Sequence, residues 1–138
     1  MSCPFCYIHQ HPEAAAMIHA DDELMAFMDI NPIRSGHVLI VSRAHEPEFF
    51  NLPERVAARA MTLAHRIAAV QKALFQPLRV GAMIAGGDVP HAHLHLIPMR
   101  ENTDVTSRPA LEGGLQRAPA QQLQQQAAAI RERGSDWA

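Results

Sequence analysis

Residues 90–98 read Pro90-His91-Ala92-His93-Leu94-His95-Leu96-Ile97-Pro98, and the rest of the chain is best read outward from them. Alternation of histidine with Ala or Leu has the period of two that belongs to a β-strand, whose successive side chains point to opposite faces. His91, His93 and His95 are therefore expected on one face, about 7 Å from one to the next. Ala92, Leu94 and Leu96 point the other way, into a core. Packing gives no reason for three imidazoles in a row, so the face is expected to carry chemistry. Two chemistries fit. The imidazoles could ligate a catalytic metal, or one could be a nucleophile whose neighbours hold its tautomer and bind an oxyanion.

Upstream of this strand, Gly86-Gly87 breaks the chain after another strand candidate at about 79–85. Residues 16–20 and 23–29 make two short strands around Asp21-Asp22, which suits a hairpin turn. His37–Ser42 is a β-branched strand entered from the breakers Asn31-Pro32 and Ser35-Gly36. A helix is expected at about 53–75, with Pro53 at its first position. Val56, Ala60, Leu63, Ile67, Val70 and Leu74 form its apolar stripe, and Pro77 ends it. After Asn102 the chain has no periodicity until Gln121–Arg133, a second helix closed by Gly134. Five strands, one long helix and a C-terminal helix make an α+β domain with a mostly antiparallel sheet, and no domain boundary is visible.

At 138 residues and 48% apolar composition the chain has the size and character of one globular domain. A formal net charge of −2 offers no basic surface for nucleic acid. The N-terminus lacks the basic and apolar regions of a secretory signal, and no apolar run is long enough for a bilayer. A cytoplasmic location is the expectation. Both cysteines lie in one C-x-x-C, Cys3 and Cys6, which reads as metal ligands, a redox motif or chance.

His91-Ala92-His93-Leu94-His95-Leu96 resembles the H-φ-H-φ-H-φ signature (φ apolar) of the histidine-triad (HIT) superfamily. The resemblance runs through Cys3-Pro4-Phe5-Cys6, then Ala26-Phe27-Met28-Asp29-Ile30-Asn31-Pro32, Gly36-His37-Val38-Leu39-Ile40-Val41 and Arg43-Ala44-His45, in the family's order. It covers residues 3–99. It implies that His93 attacks the α-phosphorus of a nucleotide and forms a nucleotidyl-histidine intermediate that water hydrolyses. A neutral imidazole is nucleophilic at pH 7 and its phosphoramidate adduct is labile, so the chemistry is coherent. His95 and His37 would bind phosphate oxygens, Asp29 would accept the ribose hydroxyls, and Phe5, Ile8, Ile30 and Leu39 would line the base pocket. Cys3, Cys6, His45 and His91 match the structural zinc ligands of a bacterial branch, a tetrahedral set with no open position. His91 would then lean away from the phosphate at the strand's start. The resemblance also implies a homodimer, joined through sheet edges or the long helices.

The sequence departs from the family pattern at Ala85-Gly86-Gly87-Asp88-Val89, where a Ser or Thr hydroxyl commonly precedes the valine. Asp88 is expected either to face the leaving group and favour amines, or to cap the turn through backbone N–H groups. The function implied is hydrolysis of a purine nucleoside phosphoramidate. Cleavage of dinucleoside polyphosphates is the alternative among enzymes. A regulatory nucleotide-binding module and a hydrolase with zinc on the triad are the rivals from other classes.

Overall fold

A hairpin opens the sheet. Strands β1 (Met17–Ala20) and β2 (Leu24–Met28) pair antiparallel, and Asp21 closes their turn. Its Oδ1 accepts the N–H groups of Glu23 and Leu24 at 2.9 and 3.0 Å, the local bonding that makes Asp a turn residue. Strand β3 (Val38–Ser42) adds to β2, and the chain then crosses one face of the sheet as a long helix. Strand β4 (Arg79–Met83) returns at the far edge, and β5 (His93–Met99) inserts between β3 and β4. The order is β1-β2-β3-β5-β4 and every pairing is antiparallel. The fold is α+β, as the sequence implies. A computed structural model describes residues 3–86, 89–106 and 114–134 of the chain.

Among the described residues three α-helices cover the sheet. Helix α1 spans Pro4–Gln10, α2 spans Glu54–Phe75 and α3 spans Ala120–Arg133. Helix α2 starts one residue later than expected. Pro53 stands outside it with extended ψ, and its carbonyl accepts the N–H groups of Val56 and Ala57. The helix stops because Gln76 turns left-handed (φ 46°) ahead of Pro77, whose ring disfavours helical backbone before it. Val56, Ala60, Leu63 and Ile67 are buried as the stripe requires, while Val70 and Leu74 are partly buried. Each fully buried Leu or Ile contributes about 1.5–3 kcal/mol. Gln71, a polar residue inside that stripe, is fully buried as well.

Register divides the sheet into a core face and a second face. Ala26, Ile40 and Leu94 align across β2, β3 and β5, as do Met28, Val38 and Leu96, and all six pack under α2 and α3. On the opposite face Phe27, Leu39 and His95 make one row, and Met25, Val41 and His93 another. Phe5 of α1 packs there with Met25, Phe27, Leu39 and Val41. This second core explains why β2 and β3 are buried at every position. Among the described residues no helix is long and apolar enough to cross a membrane.

Candidate functional site

His93 and His95 point from β5 into a cavity of about 510 Å³ on the α1 side of the sheet. Phe5, Ile8, Ile30 and Leu39, the residues expected to line a base pocket, all line it, together with Asp29 and His37. Phe27 and Val89 complete much of the apolar wall. Two further lining residues, Val105 and Leu115, come from the segment that carries no sequence pattern. The cavity is thus apolar over most of its surface, with imidazoles and one carboxylate converging at one end.

His91 stays on the α1 side of the sheet but does not line that cavity. Strand β5 begins at His93, and His91 lies in a bend before it, with its own N–H donating to Val89 O at 2.8 Å. Its ring turns toward the cysteines and is buried between them and Ser42, still edge-on to Phe5 at 5.7 Å between centroids. Its backbone meets the next histidine: His93 Nδ1 lies 2.7 Å from the carbonyl oxygen of His91. A carbonyl oxygen only accepts, so Nδ1 of His93 carries the proton and Nε2 keeps the lone pair. The ring is 4% exposed and packs edge-on against Phe5 at 5.2 Å between centroids. The nucleophilic form of the imidazole is the one this geometry holds.

A second chain of bonds fixes the other pair. The N–H of Ile33 donates to His37 Nδ1 at 3.0 Å, which requires the His37 proton on Nε2. That Nε2 lies 2.9 Å from His95 Nδ1 and donates to it, leaving the His95 proton on Nε2. Asp29 stands beside the pair, its Oδ2 at 3.4 Å from His37 Nε2. Burial pushes the His37 pKa down to about 4, against the pull of Asp29 and with some help from His95. A neutral His37 is what the bond from Ile33 needs. Asp29, His37 and His95 also lie close enough to suggest a metal site. They do not fit one, because the His37 nitrogen that would face the ion already carries a proton.

Cys3, Cys6, His45 and His91 make a different cluster, with all four donor atoms within 4.8 Å of one another. Nδ1 of His91 is 3.3 and 3.5 Å from the sulfurs of Cys3 and Cys6, and 3.2 Å from Nδ1 of His45. Tetrahedral zinc with ordinary bond lengths needs about 3.3 Å between nitrogens and about 3.5 Å between nitrogen and sulfur. Nε2 of His91 donates to the carbonyl of Ser42 at 2.6 Å, so Nδ1 presents a lone pair to the cluster. Burial, together with the adjacent His45 and His93, keeps His91 below its ordinary pKa despite the Ser42 bond. Burial and the neighbouring Cys3 hold the Cys6 thiol up, so a cation is what would allow the pair to exist as thiolates. The donor set fits a structural zinc ion.

Several contributors were not visible in the sequence. Helix α1 is seven residues long, too short for periodicity to reveal, yet it carries Cys6 and the cavity wall residues Phe5 and Ile8, with Cys3 as its N-cap. Pro4 following Cys3 is the one signal, since proline suits a first helical turn. Ser42 and Ile33 act through backbone groups that no side-chain pattern encodes. Gln71 and Asp104, both buried, sit where the sequence suggests an apolar stripe and a loop. Asp88 lies outside the described residues.

Comparison with known proteins follows this geometry. A zinc-bound histidine triad family protein of Mycobacterium smegmatis superposes with a TM-score of 0.75 and 25% identity, covering 96% of this chain and 92% of that one. The adenosine 5'-monophosphoramidase of Saccharomyces cerevisiae is 32% identical over 101 residues, 72% of this chain and 64% of that protein. A HIT-like protein of Saccharolobus solfataricus is 35% identical over 101 residues, 70% of this chain and 73% of its own length. The family profile of the HIT domain matches residues 11–102, and the chain belongs to the HIT domain family.

Proposed function

We propose that the protein hydrolyses a purine nucleoside phosphoramidate through a nucleotidyl intermediate on His93. The observation that carries this reading is the 2.7 Å bond from His93 Nδ1 to the His91 carbonyl, which leaves Nε2 as the lone-pair nitrogen at the cavity. Attack by Nε2 on the α-phosphorus forms the N–P bond to His93 and breaks the P–N bond to the amine, which takes a proton from solvent that the attacking water gives back in the second step. Water then attacks the same phosphorus, the N–P bond breaks, and His93 returns to its starting tautomer. The N–H on Nε2 of His95 donates to a phosphate oxygen as charge develops, with His37 holding that proton in place. Asp29 accepts the ribose hydroxyls, while Phe5, Ile8, Ile30 and Leu39 enclose the base. The monophosphoramidase relative supports the leaving-group class.

Cys3, Cys6, His45 and His91 would hold a zinc ion whose part is structural, tying α1 to the segment after β3 and to the bend before β5. The intact imidazole arrangement favours an enzyme over a purely regulatory binding module. Asp88 facing the leaving group would favour amines over phosphoanhydrides. The exposed edge at β4 and the outer surface of α2 offer faces for a homodimer, in keeping with the family resemblance. Light scattering at micromolar concentration reads that directly.

A substrate panel tests the proposal: adenosine phosphoramidate, aminoacyl adenylate analogues and diadenosine polyphosphates with purified protein. Turnover of the phosphoramidates in preference to the others, with a nucleoside monophosphate adduct on His93 by rapid-quench mass spectrometry, is expected. Preference for diadenosine polyphosphates would move the assignment to the alternative hydrolase class. Binding without turnover of any substrate would reject an enzyme.

A further inference from the structure

The loop from Asn31 to Gly36 carries the Ile33 N–H that fixes His37, yet it belongs to no strand or helix. Asn31 N–H donates to Asp29 Oδ1 at 2.8 Å at its start and Gln71 Nε2 donates to Gly36 O at 2.9 Å at its end, and two further features hold Arg34 between them. Within the loop, His37 N–H donates to Arg34 O at 3.1 Å, closing a turn in which Gly36 adopts φ 89°. Across the molecule, the Arg34 guanidinium reaches Asp104 in a two-pronged bond, Nε to Oδ2 at 2.9 Å and the second nitrogen to Oδ1 at 3.0 Å. Asp104 is 5% exposed and its Oδ2 also accepts the backbone N–H groups of Arg100 and Glu101, at 2.7 and 3.1 Å. Those residues follow directly from β5, the strand that carries His95. The ion pair therefore joins the loop that sets His37 to the end of the strand that holds its partner.

We propose that Arg34 and Asp104 are positioning residues whose ion pair holds the Ile33 N–H on His37, and so sets which nitrogen of His95 presents a proton to the substrate. The role of His95 rests on the function proposed above; the state of the His37 ring does not. The groups facing that ring are Asp29 at the end of β2, His95 from β5 and Ile33 from the loop, while the neighbouring side chain of α2 is the uncharged Gln71, bonded to Gly36 O. With the loop released, the Ile33 N–H no longer opposes a proton on Nδ1. The neutral ring can then take the other tautomer, or become an imidazolium beside Asp29. In either case the donor direction along His37 and His95 is no longer imposed. Arginine is needed because a fork of two parallel bonds fixes orientation, which a single lysine bond does not.

The full chain as purified, labelled with ¹⁵N, gives the tautomer and titration of His37 from long-range histidine correlations. Wild type is expected to hold the Nε2–H form from about pH 8 to about pH 5. In Arg34→Gln the ring should mix tautomers or titrate ~1 pH unit higher, moving the acid limb of kcat up by a matching tenfold in proton concentration. Arg34→Lys should fall between them. Arg34 is 36% exposed, so its variants are expected to fold even if Asp104→Asn does not. An Arg34→Gln protein with unchanged His37 tautomer and midpoint overturns the proposal, whatever its activity. A shifted ring in a protein that turns over none of the substrates keeps the positioning role and rejects the catalytic one.

Discussion

The side-chain Nε2 of Gln71 lies 2.9 Å from the carbonyl oxygen of Gly36, the residue before His37. It also donates to the carbonyl of Leu96, the residue after His95, at 3.2 Å. One buried amide on α2 thus joins, from behind the sheet, the two backbone segments whose imidazoles meet in front. Gln71→Leu removes both donors and should lower stability by about 1–3 kcal/mol, the cost of leaving buried carbonyls without a partner. Gln71→Glu should be worse, since an ionised carboxylate would face two carbonyl oxygens. Urea unfolding of both variants checks the order, and a neutral Gln71→Leu would contradict it.

Removing the His93 imidazole should separate binding from turnover. His93→Ala is expected to bind nucleotide with little change while kcat falls by at least about 10³-fold, because the covalent route is gone. Calorimetry with a nucleoside monophosphate and turnover assays measure the two halves. A variant keeping a substantial share of wild-type kcat would remove His93 from the role.

Metal content makes a third prediction. One zinc ion per chain is expected in untagged protein, and chelation should lower the melting temperature because metal binding couples to folding. Cys6→Ser should lose both the metal and the chelator sensitivity. If metal analysis finds no zinc, or chelation leaves the melting temperature unchanged, the cluster is not a structural zinc centre. Activity lost on chelation before any unfolding would favour a catalytic metal instead.

Acid should weaken the fold through His37. The unfolded ring titrates near pH 6.5 and the folded one at about 4, so the unfolded chain binds more protons between those values. The stability from this residue is complete above about pH 6.5, falls as pH drops through the window and levels below about 4. The loss is on the order of 3 kcal/mol. Urea titrations at about pH 7 and about pH 4.5 should show a smaller drop for His37→Asn than for wild type. Equal drops would mean that His37 is not the titrating group.

Asp88 can be tested without knowing its contacts. Asp88→Asn and Asp88→Ser should lose kcat/KM selectively on phosphoramidates if the carboxylate serves an amine leaving group. A small uniform loss with lower stability would leave only a turn-capping role.

Much of this site is written in residue type and spacing. The period-two histidines gave His93 and His95 their common face, and the stripe from Val56 to Ile67 gave α2. The alternation did not show that the His91 ring turns from the cavity to the cysteines, because the bend before β5 depends on backbone bonds such as Ala92 N–H to Glu46 O rather than on side-chain character. Gln71 escaped because a buried polar residue at a stripe position looks like a surface one until its partners are known. Asp104 escaped because its four bonds come from Arg34 and from two backbone groups, one local ladder and one contact 70 residues away. Side-chain alternation is legible locally; proton placement depends on contacts that sequence order scatters.

The division of the sheet into two cores has a consequence for how losses of this protein are detected. Helices α2 and α3, with 22 and 14 residues, cover one face, and the seven-residue α1 meets the other through Phe5. A helix of that length is not stable by itself in water, so its place depends on Phe5 and on whatever the cysteines hold. Its detachment would be a sub-global opening, lower in free energy than melting of the main core. Far-ultraviolet circular dichroism reads chiefly the two longer helices, so a sample that had shed α1 would pass as folded while its cavity had lost a wall. Amide exchange at Cys6 to Gln10, set against exchange in α2, would expose that silent fraction.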